Sequence, residues 1–255
     1  MNRIGVVGAS GRTGRYVVEA LLSSSSSKLQ VALVSSGSSR LGEEIGSTGI
    51  VYSSDFATLA TCDGVIDFST PASSVSVARL CAEFKKPLIV ATTGLSADDS
   101  RVIEECARVA PVCIAPNTSL AATALKMAAR YLQNILGPSF DIEVMEIHHR
   151  MKKDAPSGTA LNVISGLTTS PESVIFGREG LRKEGEIGVV SLRGGDVPGD
   201  HTVYFLGNGE RIELTQRSQN RAIFGSGAVV LMERLLQRSA GLYLVEDLLQ
   251  SGGGA

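Results

Sequence analysis

The chain has 255 residues, enough for one large domain or two modest ones that each bury a core. Its 24 Lys and Arg against 26 Asp and Glu give a formal net charge of −2, so there is no global basic field; this argues against a nucleic-acid partner, and any anion must be held locally. The four cysteines, Cys62, Cys81, Cys106 and Cys113, show no C-x-x-C spacing, which excludes a zinc ribbon or a dithiol redox centre, and no metal is expected.

The N-terminus runs directly into a strand pattern without a signal-peptide region, and no segment reaches the ~20 apolar residues of a membrane span. The expectation is a cytoplasmic protein without membrane contact. Arg3-Ile-Gly-Val-Val-Gly8 is a short apolar strand, Ala9-Ser-Gly-Arg-Thr-Gly14 a glycine loop, and Tyr16–Leu22 has helical spacing. Gly8, Gly11 and Gly14 form G-x-x-G-x-x-G, which moves the middle glycine of the usual dinucleotide fingerprint by one place. The physical demands are the same: a tight turn leaves the strand, backbone approaches a pyrophosphate, and the helix start faces it. Gly8, Ala9, Ser10, Gly11, Arg12 and Thr13 are therefore candidate cofactor contacts, with Arg12 adding a charge-assisted bond. A strand–helix turn that binds nothing is the plain alternative, because the motif alone is weak.

Ser23 to Ser27 reads as a solvated connection and Leu29–Val34 as the second strand. Where an NAD-binding chain would place an acid against the ribose, this one has Ser35-Ser-Gly-Ser-Ser-Arg40. Hydroxyls such as that of Ser35 and the Arg40 guanidinium favour a 2′-phosphate, so NADPH is preferred, with NADH as the alternative. Gly64–Phe68, Pro87–Gly94 and Pro111–Thr118 are further strands, alternating with helices at Ser73–Phe84 and Ala97–Ala110. That alternation predicts an α/β fold with a doubly wound parallel sheet, whose ligands gather at the carboxyl ends of strands, where Ser69, Thr92, Thr93 and Asn117 fall.

After Ser119 the pattern changes. A helix at Thr123–Leu136 precedes an alternating strand, Phe140–Glu146; a helix follows Ser157; and Gly188–Arg193, His201–Leu206 and Arg211–Gln216 are strands of an open antiparallel or mixed sheet. Ala228–Ser239 and Leu242–Leu249 return to helical periodicity, and Ser251 to Ala255 is a frayed tail. The division expected is a dinucleotide-binding domain of 1–119 and 222–255, and an α+β substrate-binding and oligomerisation domain of 120–221.

The densest chemistry lies in Glu146-Ile-His-His-Arg-Met-Lys-Lys-Asp-Ala-Pro-Ser-Gly-Thr159, which holds two of the three histidines. On an extended backbone His148, Arg150 and Lys152 share one side. Ser157, Gly158 and Thr159 open a helix whose outward N–H groups suit a carboxylate. A solvated charge run is the bland alternative, but it needs no paired histidines. The pattern fits a small dianion with one acid end on the turn, the other on basic side chains, and a proton delivered by His148 or Lys152.

With the glycine loop, Asp-Phe-Ser-Thr-Pro71, Ala-Thr-Thr-Gly94, Ala-Pro-Asn-Thr-Ser119, Glu-Ile-His-His-Arg150, Lys152, Asp-Ala-Pro-Ser-Gly-Thr159 and Arg-Gly-Gly195 with Gly199 and His201, nearly the whole chain resembles the 4-hydroxy-tetrahydrodipicolinate reductase (dihydrodipicolinate reductase) family of lysine and diaminopimelate biosynthesis. The resemblance implies a Rossmann-type domain, a second domain whose sheets meet in a homotetramer, and NAD(P)H-dependent reduction of a cyclic dicarboxylate. It implies His148 as proton donor and acceptor and Lys152 as proton donor, and matches His149, Gly158 and Thr159 to substrate contacts. Cofactor contacts carry over to Gly8 through Thr13, to Ala91, Thr92 and Thr93, and to Ala115, Pro116, Asn117 and Thr118. The chain departs from the family at Thr13 (usually Met), Ala91 (usually Gly), Met151 and Gln216 (often His) and Ala121 (often Gly). Another nicotinamide dehydrogenase of a small dicarboxylate and a non-catalytic dinucleotide-binding redox sensor are the competing readings.

Overall fold

The computed structural model describes residues 1–250. In chain order the first half gives β1 (Asn2–Val7), α1 (Gly14–Leu22), β2 (Ser27–Leu33), β3 (Tyr52–Ser53), β4 (Gly64–Asp67), α2 (Pro71–Phe84), β5 (Leu88–Val90), α3 (Ala97–Cys106) and β6 (Pro111–Ile114). The second half gives α4 (Leu120–Leu136), β7 (Asp141–His148), α5 (Gly158–Ser165), β8 (Val174–Phe176), β9 (Ile187–Arg193), β10 (Gly199–Leu206), β11 (Arg211–Ser218), α6 (Ala222–Leu235), β12 (Gly241–Tyr243) and α7 (Val245–Gln250). Local chemistry sets several of these limits. Pro71 opens α2, Lys85 ends it with a left-handed φ of 52°, and Ser96 with Asp99 forms a reciprocal cap at the start of α3.

The chain separates into two compact units, one of Met1–Ser119 with residues 221–250 and one of Leu120–Asn220. The first unit is built on a seven-stranded sheet in the order β12-β6-β5-β4-β1-β2-β3, with every pairing parallel. Its strands are near-continuous apolar runs because both sheet faces are covered; Ile4, Val6, Val65, Ile66, Leu88 and Val90 are fully buried. Strand order reverses at β1, which has β2 on one side and β4 on the other, so the crevice beyond the carboxyl ends of β1 and β4 is the place where this architecture takes a ligand. The four cysteines are free and buried, and burial pushes Cys62 up to about 11 and Cys113 to about 12, so they serve as packing groups.

The second unit carries a five-stranded mixed sheet, β11-β10-β7-β9-β8. β10 runs antiparallel to β7 and β11, while β9 runs parallel to β7 and β8. One core joins Leu125 and Ala129 of α4 and Val163 and Ile164 of α5 to Ile142, Val144, Ile187, Val189, Val203 and Phe205 of the sheet.

Two local readings of the sequence give way to long-range contacts, and two short strands are not anticipated by it. The helix expected over Leu242–Leu249 begins only at Val245, because Gly241–Tyr243 pairs in parallel with Pro111–Cys113 and extends the large sheet. The serine connection is not wholly solvated: Ser27 is fully buried and donates to Glu233 Oε1 at 2.7 Å. The short strands β3 and β8 exist through their partners β2 and β9. The expected frayed tail, 251–255, lies outside the described residues. Among the described residues no helix is long and apolar enough to cross a membrane.

Candidate active site

In the first unit, the glycines of the loop are required by packing. Gly8 has φ 73°, and a Cβ there would lie 2.3 Å from the carbonyl oxygen of Phe68, just beyond β4. A Cβ at Gly14 would lie 2.1 Å from the carbonyl oxygen of Gly8. The loop thus folds tightly over the switch between β1 and β4, with Ala9 buried, Ser10, Gly11 and Thr13 half-buried and Arg12 exposed. Thr13 precedes α1 without capping it by its side chain.

Beside this loop, a group not singled out from the sequence ties two strand ends together. Asp67 is fully buried at the end of β4 and accepts from Ser74 Oγ, from the Ser69 N–H at 3.0 Å and from Thr92 Oγ1 at 3.4 Å. Burial pushes its carboxyl above the ordinary range against these donors. The Thr92 hydroxyl, expected in the cleft, is therefore spent on Asp67. Asn117 Oδ1 accepts from Ser119 N at 2.9 Å, and Thr118 Oγ1 donates to the Phe224 carbonyl at 2.7 Å. Ala91 and Ala115 are buried; Thr93 and Pro116 are exposed. Ser35 and Arg40 are exposed as well, but Arg40 bonds the Glu43 carboxylate and lies 5.0 Å over the Tyr52 ring. An acid therefore does stand beside Arg40, three residues further on.

In the second unit, alternation along β7 puts Ile142, Val144, Glu146 and His148 on the covered side of the sheet. Glu146 is a carboxylate with no exposure at all. Its Oε1 accepts from Arg193 Nη2 at 2.8 Å and from the Ser157 N–H at 3.1 Å. Its Oε2 lies 3.1 Å from His148 Nδ1 and 3.9 Å from His201 Nε2. Burial works to raise its pKa, but the close approach of His148 and the bonds from Ser157 and Arg193 outweigh it and hold the carboxyl well below the usual carboxylate range.

His201 is paired differently. Its Nδ1 is 3.2 Å from Gln216 Oε1, whose amide nitrogen donates to Ser218 Oγ, and its Nε2 is 3.2 Å from Ser157 Oγ. With Gln216 accepting, the proton of His201 sits on Nδ1 and Ser157 donates to Nε2. Burial lowers its pKa, so His201 is a neutral ring packed edge-on against His148 at 5.2 Å.

Two expectations for the basic stretch need correction. His148, Arg150 and Lys152 do not share a strand face, because β7 ends at His148; His149 N–H then bonds the Val197 carbonyl and Arg150 N–H the Gly195 carbonyl, bending the chain away. His148 is buried, His149 half-buried and Arg150 exposed, while Lys152 Nζ sits 2.9 Å from Asp154 Oδ2. Ser157 does not offer a free N–H either; it caps α5, accepting from Ala160 N at 3.1 Å while its own N–H serves Glu146. Gly158 is exposed at the helix start, with nothing within 4 Å of a notional Cβ, and Thr159 is half-buried behind it.

The nearest ligand atoms of Glu146, His148 and His201 lie within 4.8 Å of one another, a spacing that a metal ion could bridge. The donor set argues otherwise. The Arg193 guanidinium already neutralises this carboxylate, and a second cation there would face it directly. The arrangement instead suits proton handling: an ionised buried carboxylate behind one imidazole, a lysine, and a helix start open to an anion.

Residues 2–118 match the family described as "Dihydrodipicolinate reductase, N-terminus", and residues 118–249 match "Dihydrodipicolinate reductase, C-terminus". The chain belongs to the dihydrodipicolinate reductase family. A 4-hydroxy-tetrahydrodipicolinate reductase of Myxococcus xanthus (strain DK1622) is 39% identical, covering 98% of both chains. That of Beijerinckia indica subsp. indica is 40% identical, covering 97% of both. The fold resembles the solved dipicolinate-bound dihydrodipicolinate reductase from Paenisporosarcina sp. TG-14, with a TM-score of 0.81 at 22% identity over 96% of this chain and 97% of that one. Family membership makes the chain an oxidoreductase of the nicotinamide-dependent class.

Within this reductase fold Glu146, Arg193 and Asp67 escaped the sequence reading as site residues. For Glu146 the signal was present: it falls in phase with Ile142 and Val144 on an alternating strand, which marks a buried carboxylate in need of partners.

Proposed function

We propose that the chain catalyses NAD(P)H-dependent reduction of 4-hydroxy-tetrahydrodipicolinate to tetrahydrodipicolinate in diaminopimelate and lysine biosynthesis. The observation that carries this is the match of both halves to one reductase family together with the His148, Lys152 and helix-start constellation. The first unit holds the dinucleotide through the loop Gly8, Ala9, Ser10, Gly11, Arg12 and Thr13 and the strand ends at Ala91–Thr93 and Ala115–Thr118; Thr92, Asn117 and Thr118 act there mainly by shaping backbone. The second unit holds the cyclic dicarboxylate, one carboxylate at the start of α5 by Gly158 and Thr159 with Ser157 fixing the turn, and His149 adding a contact.

Bound in the first unit, the nicotinamide would supply a hydride for the ring carbon conjugated with the imine, after loss of water from the substrate. The electron pair passes towards the ring nitrogen, and the neighbouring carbon takes a proton from the cationic groups, His148 and Lys152. Following absorbance at the nicotinamide band with freshly made substrate tests this; oxidation of the cofactor only when substrate is added supports it, and none with either cofactor removes it. A Gly158→Val chain should fold, since the position is open, and raise the substrate KM at least about tenfold by blocking the approach to the helix start. An unchanged KM places the carboxylate elsewhere.

NADPH is the preferred cofactor in this reading. Ser35 and Arg40 can donate to a 2′-phosphate, and an Arg–phosphate contact of about 1–3 kcal/mol corresponds to roughly tenfold to a hundredfold. Glu43 competes for the guanidinium, which points to the lower end. The expected result is a kcat/KM ratio near tenfold for NADPH over NADH, falling towards unity in Arg40→Ala and at raised salt. Better use of NADH by the parent overturns the preference.

A cytoplasmic homotetramer completes the proposal. Its support is four free buried thiols and an apolar stripe on the uncovered face of the five-stranded sheet, where Met145 pairs with Val190 and Ile147 with Leu192, the β9 residues being 47% and 44% exposed.

A further inference from the structure

We propose that Glu146 is the positioning residue of the proton-transfer step: it keeps the neutral-state proton of His148 on Nδ1 and so reserves Nε2 as the atom that exchanges a proton with substrate. This rests on the reading of His148 as the proton-handling group.

Three features carry it. First, Glu146 Oε2 and His148 Nδ1 face each other at 3.1 Å, and Nδ1 has no other polar partner among the described residues. At this geometry the contact is an ion-pair approach and not an aligned hydrogen bond, and neither atom has another hydrogen-bond partner among the described residues. Second, the other carboxylate oxygen is fixed by Arg193 and the Ser157 N–H, so the carboxylate can neither turn away nor take up the proton. Third, the Nε2 edge is kept clear by the absence of a side chain. A Cβ at Gly199 would stand 2.8 Å from His148 Nε2. His201, the other ring in the cluster, is already committed to Gln216 and Ser157 and cannot substitute for it.

The proton balance is simple. Imidazolium His148 has N–H bonds at both nitrogens; the Nε2–H bond breaks, its electrons stay on Nε2, and the electron pair of the reduced ring's enamine forms the new C–H bond. Neutral His148 is left with Nδ1–H towards Glu146, and Nε2 regains a proton from solvent. A carboxylate behind Nδ1 selects the tautomer that leaves Nε2 free to take up the next proton.

Glu146→Gln isolates the effect, because Gln keeps the shape and its carbonyl oxygen can accept from Arg193 and Ser157. Its amide NH2 then faces Nδ1, which must become an acceptor, and the neutral ring carries its proton on Nε2. The test is 15N NMR of histidine-labelled protein, assignable because the chain has only three histidines, combined with kinetics. The parent should show neutral His148 protonated on Nδ1; Glu146→Gln should move the proton to Nε2 and lower kcat about a hundredfold or more, with the cofactor KM unchanged. A parent protonated on Nε2 overturns the proposal even where the variant fails to fold, and so does a variant with kcat within about threefold of the parent. The tautomer is read without substrate. A parent with Nδ1–H that does not reduce the dicarboxylate therefore removes the proposed function and leaves the positioning intact.

Discussion

Lys152→Ala and His148→Ala should each lower kcat by about 10²–10⁴-fold, the range that a positioned proton donor contributes, while binding of the dinucleotide stays near that of the parent. The two residues lie in the second unit, and every cofactor contact assigned above lies in the first. Lys152 is held by Asp154 at 2.9 Å, an exposed partner that substrate can displace, so its loss should cost little stability. His148 is buried against Glu146, and its removal leaves an ionised carboxylate with one partner fewer, so that variant should also melt at lower temperature. If both groups serve one step, the double variant loses less than the product of the single losses. Equilibrium titration with NADPH beside steady-state kinetics separates the outcomes, and a lost cofactor affinity with kcat preserved at saturation would place both residues in the wrong site.

Gly14→Ala should have the second large effect, through the fold of the loop. The added methyl would lie 2.1 Å from the Gly8 carbonyl oxygen and 2.9 Å from its carbon, both backbone atoms that cannot swing aside. The helix must retreat from the strand, costing at least the about 1–3 kcal/mol of an overpacked core. Dinucleotide affinity should fall more than tenfold and Tm should drop, whereas Gly158→Ala, with open space around it, should leave Tm unchanged. Binding and melting of Gly14→Ala indistinguishable from the parent would show that the loop does not depend on this contact.

The first unit was the more legible in the sequence. Its strands are largely apolar and are followed within two residues by Gly8, Ser69 or Thr92, so period and punctuation agree, and the parallel order follows from the helices between them. Side-chain destinations were less legible. Thr92 and Asn117 look like cleft hydroxyl and amide groups in one dimension, yet a buried Asp67 and the turn to Ser119 claim them. Lys152 was identified by its place after His-His-Arg, but the strand alternation used to aim it fails, because contacts to Gly195 and Val197, more than 40 residues on, end β7 at His148. The partnership of Glu146 with Arg193 and His201 joins three separate strands, and only the register of β7 with β9 and β10 brings them together.

The most direct test of the whole account follows one labelled hydrogen. With NADPH carrying deuterium at the transferable position of the nicotinamide and freshly made 4-hydroxy-tetrahydrodipicolinate, each turnover should place one deuterium on the ring carbon conjugated with the imine. The hydrogen on the neighbouring carbon should come from solvent. Cofactor that stays reduced, or deuterium delivered instead to a carbonyl or hydroxyl-bearing carbon, would contradict it.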